Sequence, residues 1–153
     1  YTVVFYEQKL YADMGLQVIY AILSVYGWYE WLYGGENRTE LHVSRSSPAL
    51  GAQLAMIGIA CVAVLGTVLA RFTDAALPYI DSATASTSLV AQWMMTRKIL
   101  ENWAVWIVVD VVYIAMFVFK RLYLTAGLYA VFLVLAVMGY IQWKRSLAER
   151  SLA

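Results

Sequence analysis

The sequence is poor in the residues that bind metals or form disulfides. It contains one cysteine, Cys61, and one histidine, His42. A single thiol excludes an internal disulfide, and one thiol with one imidazole provides too few ligands for a zinc or iron–sulfur site. We therefore expect neither a bound metal nor a cofactor in this chain.

Charged residues are also scarce, and neither sign dominates. They make up 14% of the 153 residues, with 11 Lys and Arg against 10 Asp and Glu. Soluble domains contain about 25% charged residues. The nearly neutral balance lacks the basic stripe that binds nucleic acids, so we expect no nucleic-acid partner.

Apolar residues fill most of the sequence. They make up 63% of it, whereas soluble domains contain about 45–50%. Residues 1–6 look like the end of a membrane span. Further stretches of about 20 residues, which is long enough to cross a bilayer, are predicted at 12–33, 49–70, 78–96, 100–119 and 122–143. The sequence therefore predicts an all-α membrane protein.

Basic residues are more numerous on one side of these predicted spans. The side with the 34–47 loop, the 97–101 loop and the C-terminus carries seven Lys and Arg, against four on the other side. Because cytoplasmic loops are enriched in Lys and Arg, we expect the C-terminus in the cytoplasm.

Residues 1–31 and 113–143 are two copies of one segment, aligned without a gap. The path from the first predicted span to the last crosses the membrane four times, an even number. The copies are therefore expected to be parallel repeats, a construction common in transporters. Ten positions are identical: Tyr1 and Tyr113, Phe5 and Phe117, Leu10 and Leu122, Tyr11 and Tyr123, Gly15 and Gly127, Leu16 and Leu128, Leu23 and Leu135, Val25 and Val137, Gly27 and Gly139, and Trp31 and Trp143.

The repeat predicts how the chain is divided. Each copy is expected to contain three helices, and one linker helix between them restores the orientation. Because a span and a half precedes the second copy, we expect the first helix and most of the second to be missing before Tyr1. The predicted parts are the end of the first three-helix bundle at 1–33, a loop with the linker helix at 34–77, the second three-helix bundle at 78–143 and a cytoplasmic tail at 144–153.

Polar and aromatic side chains recur every three or four residues in three predicted helices, so each set lies on one face. The repeat adds a fourth face, on which Tyr129, Phe132 and Tyr140 occupy the positions of Gln17, Tyr20 and Trp28. Four helices are thus predicted to face something other than lipid. The three stripes are Asp13, Gln17, Tyr20, Ser24, Trp28 and Trp31; Thr84, Ser88, Gln92 and Thr96; and Trp103, Trp106, Asp110, Tyr113 and Phe117, flanked by Asn102.

Some of these residues have simpler explanations. Trp31 and Trp143 end their helices before charged loops, and an aromatic belt at the membrane interface explains both. Hydroxyls such as those of Thr84 and Thr96 often bond their own helix or a neighbouring one. Asp110 costs about 2.5–3.5 kcal/mol near mid-membrane, so it should face the bundle interior. A hydrogen-bonded structural role for it is slightly favoured over contact with a substrate, and both remain open.

Three stretches carry a resemblance to the PnuC family of vitamin transporters, and the resemblance runs through nearly the whole chain apart from its loops. They are LYADMGLQVIYAILSVYGWYEW, TSLVAQWMMTRKILENWAVWIVVDVV and LYLTAGLYAVFLVLAVMGY. Trp103 and Trp106, which follow Glu101 and Asn102, resemble the WxxW motif of the nicotinamide riboside branch. The resemblance implies a bacterial inner-membrane protein of seven helices in a 3+1+3 arrangement, similar to a SWEET sugar transporter. It also implies facilitated diffusion of nicotinamide riboside, driven by a cytoplasmic kinase that phosphorylates the vitamin.

The residues themselves suit such a substrate. A pyridinium ring is a flat cation that stacks on aromatic faces, worth about 0.5–2 kcal/mol. Ribose hydroxyls and a carboxamide need neutral donors and acceptors. The first candidates for substrate binding are Trp103, Trp106, Asn102 and Gln92, followed by Gln17, Tyr20, Trp28, Ser88 and Tyr140, with Asp110 in either of its two roles.

Other functions stay open at this point. The same fold suits thiamine, riboflavin or a deoxynucleoside, although the WxxW pair favours nicotinamide riboside. A structural membrane subunit that transports nothing would not need four aligned polar faces. An intramembrane enzyme would need an activated nucleophile or a metal, so we expect no enzyme. The sequence leaves open whether the protein is a homo-oligomer.

Overall fold

Five long α-helices form the fold. The computed structural model describes residues 11–152, with the side chains of 15–152. The predicted span end at 1–6, the first positions of the repeat and the side chain of Asp13 lie outside the described residues. The helices are α1 (Tyr11–Tyr33), α2 (Pro48–Phe72), α3 (Pro78–Thr96), α4 (Asn102–Phe119) and α5 (Tyr123–Leu152), with a 3-10 turn at Glu36–Arg38. The all-α prediction is confirmed for this part of the chain, which contains no strand.

Three of the helices, α2, α4 and α5, are long and apolar enough to cross a membrane. The other two carry more polar side chains, and those of α3 point inward. Its buried residues include Asp81, Ser82, Thr84, Ser86 and Ser88. A helix that faces lipid on all sides is apolar all round. Helix α3 can carry more polar residues because they face the interior of the bundle.

Helix α5 continues well beyond the span predicted for it. It contains 30 residues and is therefore about 45 Å long at 1.5 Å per residue. The hydrocarbon core of a bilayer is only about 30 Å thick. The residues predicted as a cytoplasmic tail, 144–153, are thus helical as far as Leu152, and they extend past the apolar part of α5.

Proline and a capping serine determine where α2 and α3 begin. Pro48 and Pro78 occupy the first positions of the two helices, where the missing N–H would have no partner within the helix. The side chain of Ser47 accepts a hydrogen bond of 3.2 Å from the backbone N–H of Leu50. This contact satisfies one of the donors that a helix start leaves unpaired.

Helix α3 lies at the centre of the bundle. It packs against α1, α2 and α4, and α4 packs along α5. Small side chains such as Ala85 and Ala91 are buried on α3, and they allow the neighbouring helices to approach closely. Between α4 and α5 the packing is aromatic, since the rings of Tyr113 and Phe117 lie 4.8 and 5.1 Å from that of Tyr129.

Candidate functional site

A cavity of about 450 Å³ lies between α1, α3, α4 and α5. These are the four helices for which the sequence predicts a polar or aromatic face. Each contributes side chains from that face, so the predicted faces meet around one space. The lining residues are Gln17, Tyr20 and Ser24 from α1; Gln92 and Met95 from α3; Trp103, Trp106, Asp110 and Tyr113 from α4; and Tyr129, Phe132, Leu135 and Ala136 from α5.

Six of the ten predicted site residues line this cavity. The remaining four lie elsewhere, as described below. The structure therefore brings together the tryptophan pair, both glutamines and the carboxylate. The six are Gln17, Tyr20, Gln92, Trp103, Trp106 and Asp110.

The two tryptophans form one wall of the cavity. They are three residues apart on α4, a spacing that puts both rings on the same face. The ring of Tyr20 meets Trp106 edge to face at 6.0 Å between centroids. Both indole N–H groups are buried and have no hydrogen-bond partner among the described residues. The two rings therefore offer a ligand their aromatic surface, whereas their buried nitrogens are not accessible from the cavity.

Residues of α5 hold Trp103 in position from behind. The Trp143 ring contacts the Trp103 ring edge to face, with centroids 5.1 Å apart. A Cβ atom added to Gly139 would lie 2.7 Å from two atoms of the Trp103 ring. Because real Cβ atoms do not approach ring carbons so closely, only glycine at this position allows the observed ring placement.

Three polar side chains of the lining are also unpaired: those of Gln17 on α1, Gln92 on α3 and Asp110 on the same wall as the tryptophans. Gln17 and Gln92 are half-buried, and Asp110 is 2% exposed. None of the three makes a hydrogen bond or ion pair with another residue in the part of the chain described. A buried polar group without a partner costs about 1–3 kcal/mol. A ligand that pairs with these groups would therefore offset this cost.

Two predicted site residues are buried away from the cavity lining. Asn102 is the first residue of α4, and its side-chain amide donates to the carbonyl oxygen of Ile99 at 2.5 Å. It therefore holds the turn before α4. Ser88 is fully buried on α3, one helical turn before Gln92, and its hydroxyl has no partner within the described residues.

The other two lie towards the end of the bundle where α5 becomes charged. Trp28 is 69% exposed and lines a smaller cavity of about 220 Å³, which shares Ser24, Gln92 and Met95 with the larger one. Tyr140 is half-buried, and the ammonium group of Lys144 lies 5.9 Å from its ring centroid.

Trp31 lies two residues before the end of α1, but Trp143 lies nine residues before the end of α5, so the prediction that Trp143 ends its helix is wrong. Both residues make specific contacts between helices. Their rings meet edge to face at 6.0 Å. The indole N–H of Trp31 donates to the carbonyl oxygen of Met95 at 3.1 Å, and the ammonium group of Lys98 lies 5.0 Å from its ring centroid. A continuous row of rings therefore connects Trp31, through Trp143, to the cavity residue Trp103.

The sequence patterns do not predict the remaining lining residues, most of which are apolar or aromatic, as site residues. The repeat makes Tyr129 and Phe132 the equivalents of Gln17 and Tyr20 without assigning them to the site. The repeat itself was the signal that could have found them, since equivalent positions of two related helices face one space. The lining residues outside the proposed set are Ser24, Met95, Tyr113, Tyr129, Phe132, Leu135 and Ala136.

Comparison with known proteins identifies similar membrane transporters. Residues 1–145 match the family described as nicotinamide mononucleotide transporter. The nicotinamide riboside transporter PnuC of Escherichia coli (strain K12) is 27% identical over 97% of this chain and 72% of its own length. The protein of the same description from Neisseria mucosa is 28% identical over 99% of this chain and 62% of its own. The riboflavin/roseoflavin transporter RibM of Streptomyces davaonensis is 24% identical over 88% of this chain and 64% of its own.

A solved structure shares the fold. The crystal structure of the vitamin B3 transporter PnuC superposes with a TM-score of 0.74 at 27% identity, over 97% of this chain and 68% of that one. The helices described above therefore have the arrangement of that transporter. They surround the cavity with Trp103, Trp106 and Asp110 on one of its walls.

Proposed function

Because this chain belongs to the nicotinamide mononucleotide transporter family, we propose that it carries nicotinamide riboside across the membrane by facilitated diffusion. It is a PnuC-family transporter and not an enzyme. The cavity between its helices is the proposed binding site. Its volume of about 450 Å³ lies within the range of about 300–1,000 Å³ that is typical of small-molecule sites.

The charge of the cavity lining is the observation that carries this proposal. The lining contains one carboxylate, that of Asp110, and no Lys or Arg. Proteins bind phosphate with Arg, Lys or several backbone N–H groups, and this cavity offers no cation. Nicotinamide riboside has a cationic ring and no phosphate, whereas the mononucleotide adds a phosphate that would be buried without a counter-ion. The lining therefore favours the riboside over the mononucleotide.

The two kinds of wall suggest how the substrate lies in the cavity. Trp103 and Trp106 provide faces on which a pyridinium ring can stack. Gln17 and Gln92, on the walls formed by α1 and α3, provide unpaired amides for the ribose hydroxyls and the carboxamide. Asp110 lies on the same helix as the tryptophans, where a carboxylate would stabilise the ring cation.

A binding titration of the purified protein tests the proposal. Calorimetry in detergent should show nicotinamide riboside binding at least tenfold more tightly than the mononucleotide, which corresponds to about 1.4 kcal/mol. Thiamine and free nicotinamide are the further competitors. Equal or tighter binding of the mononucleotide would show that the charge argument is wrong.

Riboflavin is a second candidate substrate, since the similar transporter RibM is described as a riboflavin/roseoflavin transporter. Its ring system is flat, larger and uncharged. It would stack on the same tryptophans but would not need a carboxylate. The same titration separates the two candidates, because riboflavin binding should be unaffected by Asp110→Asn.

The proposed transport is passive, and phosphorylation inside the cell keeps the vitamin from leaving. Among the described residues Asp110 is the one carboxylate in the cavity lining, and the buried Asp81 of α3 does not line it. The lining therefore offers no series of carboxylates or histidines that could relay protons. A cytoplasmic kinase would provide the driving force by consuming free riboside. In liposomes, riboside should equilibrate without accumulating. Accumulation under a proton or sodium gradient, with no kinase inside, would rule out passive transport.

The proposed location is the bacterial inner membrane, with the C-terminus in the cytoplasm. The support is the excess of Lys and Arg on the side of the C-terminus, seven against four. A cysteine introduced at Ser151 should be labelled by a membrane-impermeant maleimide only after the cells are opened, once the native Cys61 has been replaced by Ala. Labelling in intact spheroplasts would place this end outside the cell.

A further inference from the structure

The loop between α1 and α2 and the end of α5 enclose a basic cavity outside the substrate site. It has a volume of about 510 Å³ and is lined by Arg45, Lys144, Leu147, Ala148, Arg150 and Ser151. The three basic side chains are exposed, and none of them makes an ion pair with another described residue. No carboxylate is among these lining residues. Three cations around one cavity, with no counter-ion, create a positive potential that attracts an anion.

Arg45 is held at this place by its neighbours in the loop. Ser44 makes two backbone hydrogen bonds, of 3.0 and 2.8 Å, to the turn between α3 and α4. On the other side of Arg45, the backbone N–H of Ser46 donates to the carboxylate of Glu101 at 3.0 Å. Because the backbone is fastened on both sides, little further ordering is needed to present the guanidinium to a ligand.

The other part of the cavity is one face of α5. Lys144, Leu147, Ala148 and Ser151 follow the spacing i, i+3, i+4 and i+7, which places them on one side of the helix. This side of α5 therefore contributes two apolar residues, Leu147 and Ala148, next to the basic Lys144. These residues directly follow the apolar part of α5, which is long enough to reach beyond the hydrocarbon core. With α5 placed across a bilayer, the cavity would lie at the level of the lipid headgroups.

We propose that this cavity binds the phosphate group of an anionic phospholipid. Arg45, Lys144 and Arg150 would surround the phosphate, since guanidinium groups match phosphate oxygens in pairs. Leu147 and Ala148 would contact the glycerol and the first methylene groups. The apolar residues Leu147 and Ala148, and their position directly after the apolar part of α5, favour a lipid over free phosphate. Basic pockets of this kind on the cytoplasmic side of membrane proteins recognise anionic headgroups.

Native mass spectrometry of the detergent-purified protein tests the assignment. The protein is titrated with phosphatidylglycerol, phosphatidylcholine or inorganic phosphate at equal concentrations. We expect phosphatidylglycerol to bind at least tenfold more tightly than phosphatidylcholine. The triple variant Arg45→Gln, Lys144→Gln, Arg150→Gln should lose this preference, with about a fivefold loss from each single change. The variant that keeps the charges, Arg45→Lys with Arg150→Lys, should retain most of it.

The matched control removes three basic side chains elsewhere on the surface, by Arg38→Gln, Arg71→Gln and Arg121→Gln. It should keep the preference for phosphatidylglycerol. An equal loss in the control would show that only overall charge matters and would overturn the site. An unchanged preference for phosphatidylglycerol in the triple variant of Arg45, Lys144 and Arg150 would also overturn the site. Equally tight binding of inorganic phosphate would overturn the lipid as the ligand. Melting temperatures of all variants are measured first, because these exposed substitutions should leave folding intact.

Discussion

Helices α1 and α5 contain the matching parts 11–31 and 123–143 of the two repeated segments, and they face the same cavity with different chemistry. At three pairs of equivalent positions α1 has the more polar residue. The pairs are Gln17 and Tyr129, Tyr20 and Phe132, and Ser24 and Ala136, and all six residues line the cavity. The repeat has thus preserved which positions face inward, while substitution has made one wall polar and the other apolar. Such an asymmetric cavity suits a substrate that itself has a polar ribose and a flat ring.

The shared glycine shows a second difference between the copies. A Cβ on Gly27 of α1 would lie 3.1 Å from the methyl group of Thr96, whereas a Cβ on Gly139 of α5 would lie 2.7 Å from ring atoms of Trp103. Both glycines allow two helices to approach closely. Only the second one determines the position of a ring in the cavity wall, so identical residues at equivalent positions have unequal consequences for the site.

The largest expected effect comes from removing the aromatic wall. Trp103→Ala or Trp106→Ala should weaken nicotinamide riboside binding at least tenfold, or about 1.4 kcal/mol, because the stacking surface is lost. Substitution of either residue by Phe should cost less, since a smaller ring still stacks. Calorimetry measures the affinity of the alanine and the phenylalanine variants. Wild-type affinity in both alanine variants would show that this wall does not bind the substrate.

The carboxylate next to that wall should distinguish a charged from a neutral ring. Asp110→Asn should weaken binding of nicotinamide riboside about tenfold, while its uncharged reduced analogue should bind about as before, since only the cation gains from a carboxylate. A structural role predicts instead a lower melting temperature and equal losses for both ligands. The absence of a described hydrogen-bond partner for Asp110 favours the first result.

The two equivalent glycines test the comparison directly. Gly139→Ala should weaken riboside binding about fivefold, because the added methyl group must displace the Trp103 ring. Gly27→Ala should change binding by less than about twofold, because Thr96 is outside the larger cavity and needs to move only slightly. Gly127→Ala, on the same helix as Gly139 and with open space around its Cβ, is the control. Equal losses at Gly27 and Gly139 would contradict the unequal roles of the two copies.

The smallest effect on riboside affinity is expected from a change on the polar wall, which α1 forms. Gln17→Leu should weaken nicotinamide riboside binding about threefold, since one hydrogen bond contributes about 0.5–1.5 kcal/mol. Free nicotinamide, which has no ribose, should be unaffected. Gln142→Leu, an exposed change on α5, should alter neither affinity. A larger loss for nicotinamide than for the riboside would mean that the ring, and not the ribose, faces α1.

The helices and their inward faces could be predicted from the sequence because both depend on local patterns. The five predicted spans coincide with α1 to α5 to within a few residues at most ends, since apolar length and proline position act within one segment. The main difference is the end of α5, where charged residues continue the helix beyond the apolar span. Periodicity alone also placed Gln17, Gln92 and Asp110 on faces that the structure turns towards one cavity.

Which side chains line the cavity depended on how each helix is oriented about its axis and packed against its neighbours. Asn102 has the correct spacing for the cavity stripe, but its amide bonds the backbone of the preceding turn. Trp31 fits an interfacial belt by its position, yet its N–H bonds the carbonyl of Met95, 64 residues away. Composition and periodicity, which arise from neighbours along the chain, therefore determined an all-helical membrane protein with polar inner faces, and the resemblance of its motifs indicated a transporter. Only the tertiary structure decided which of those side chains share a cavity, because that depends on contacts between residues far apart in the sequence.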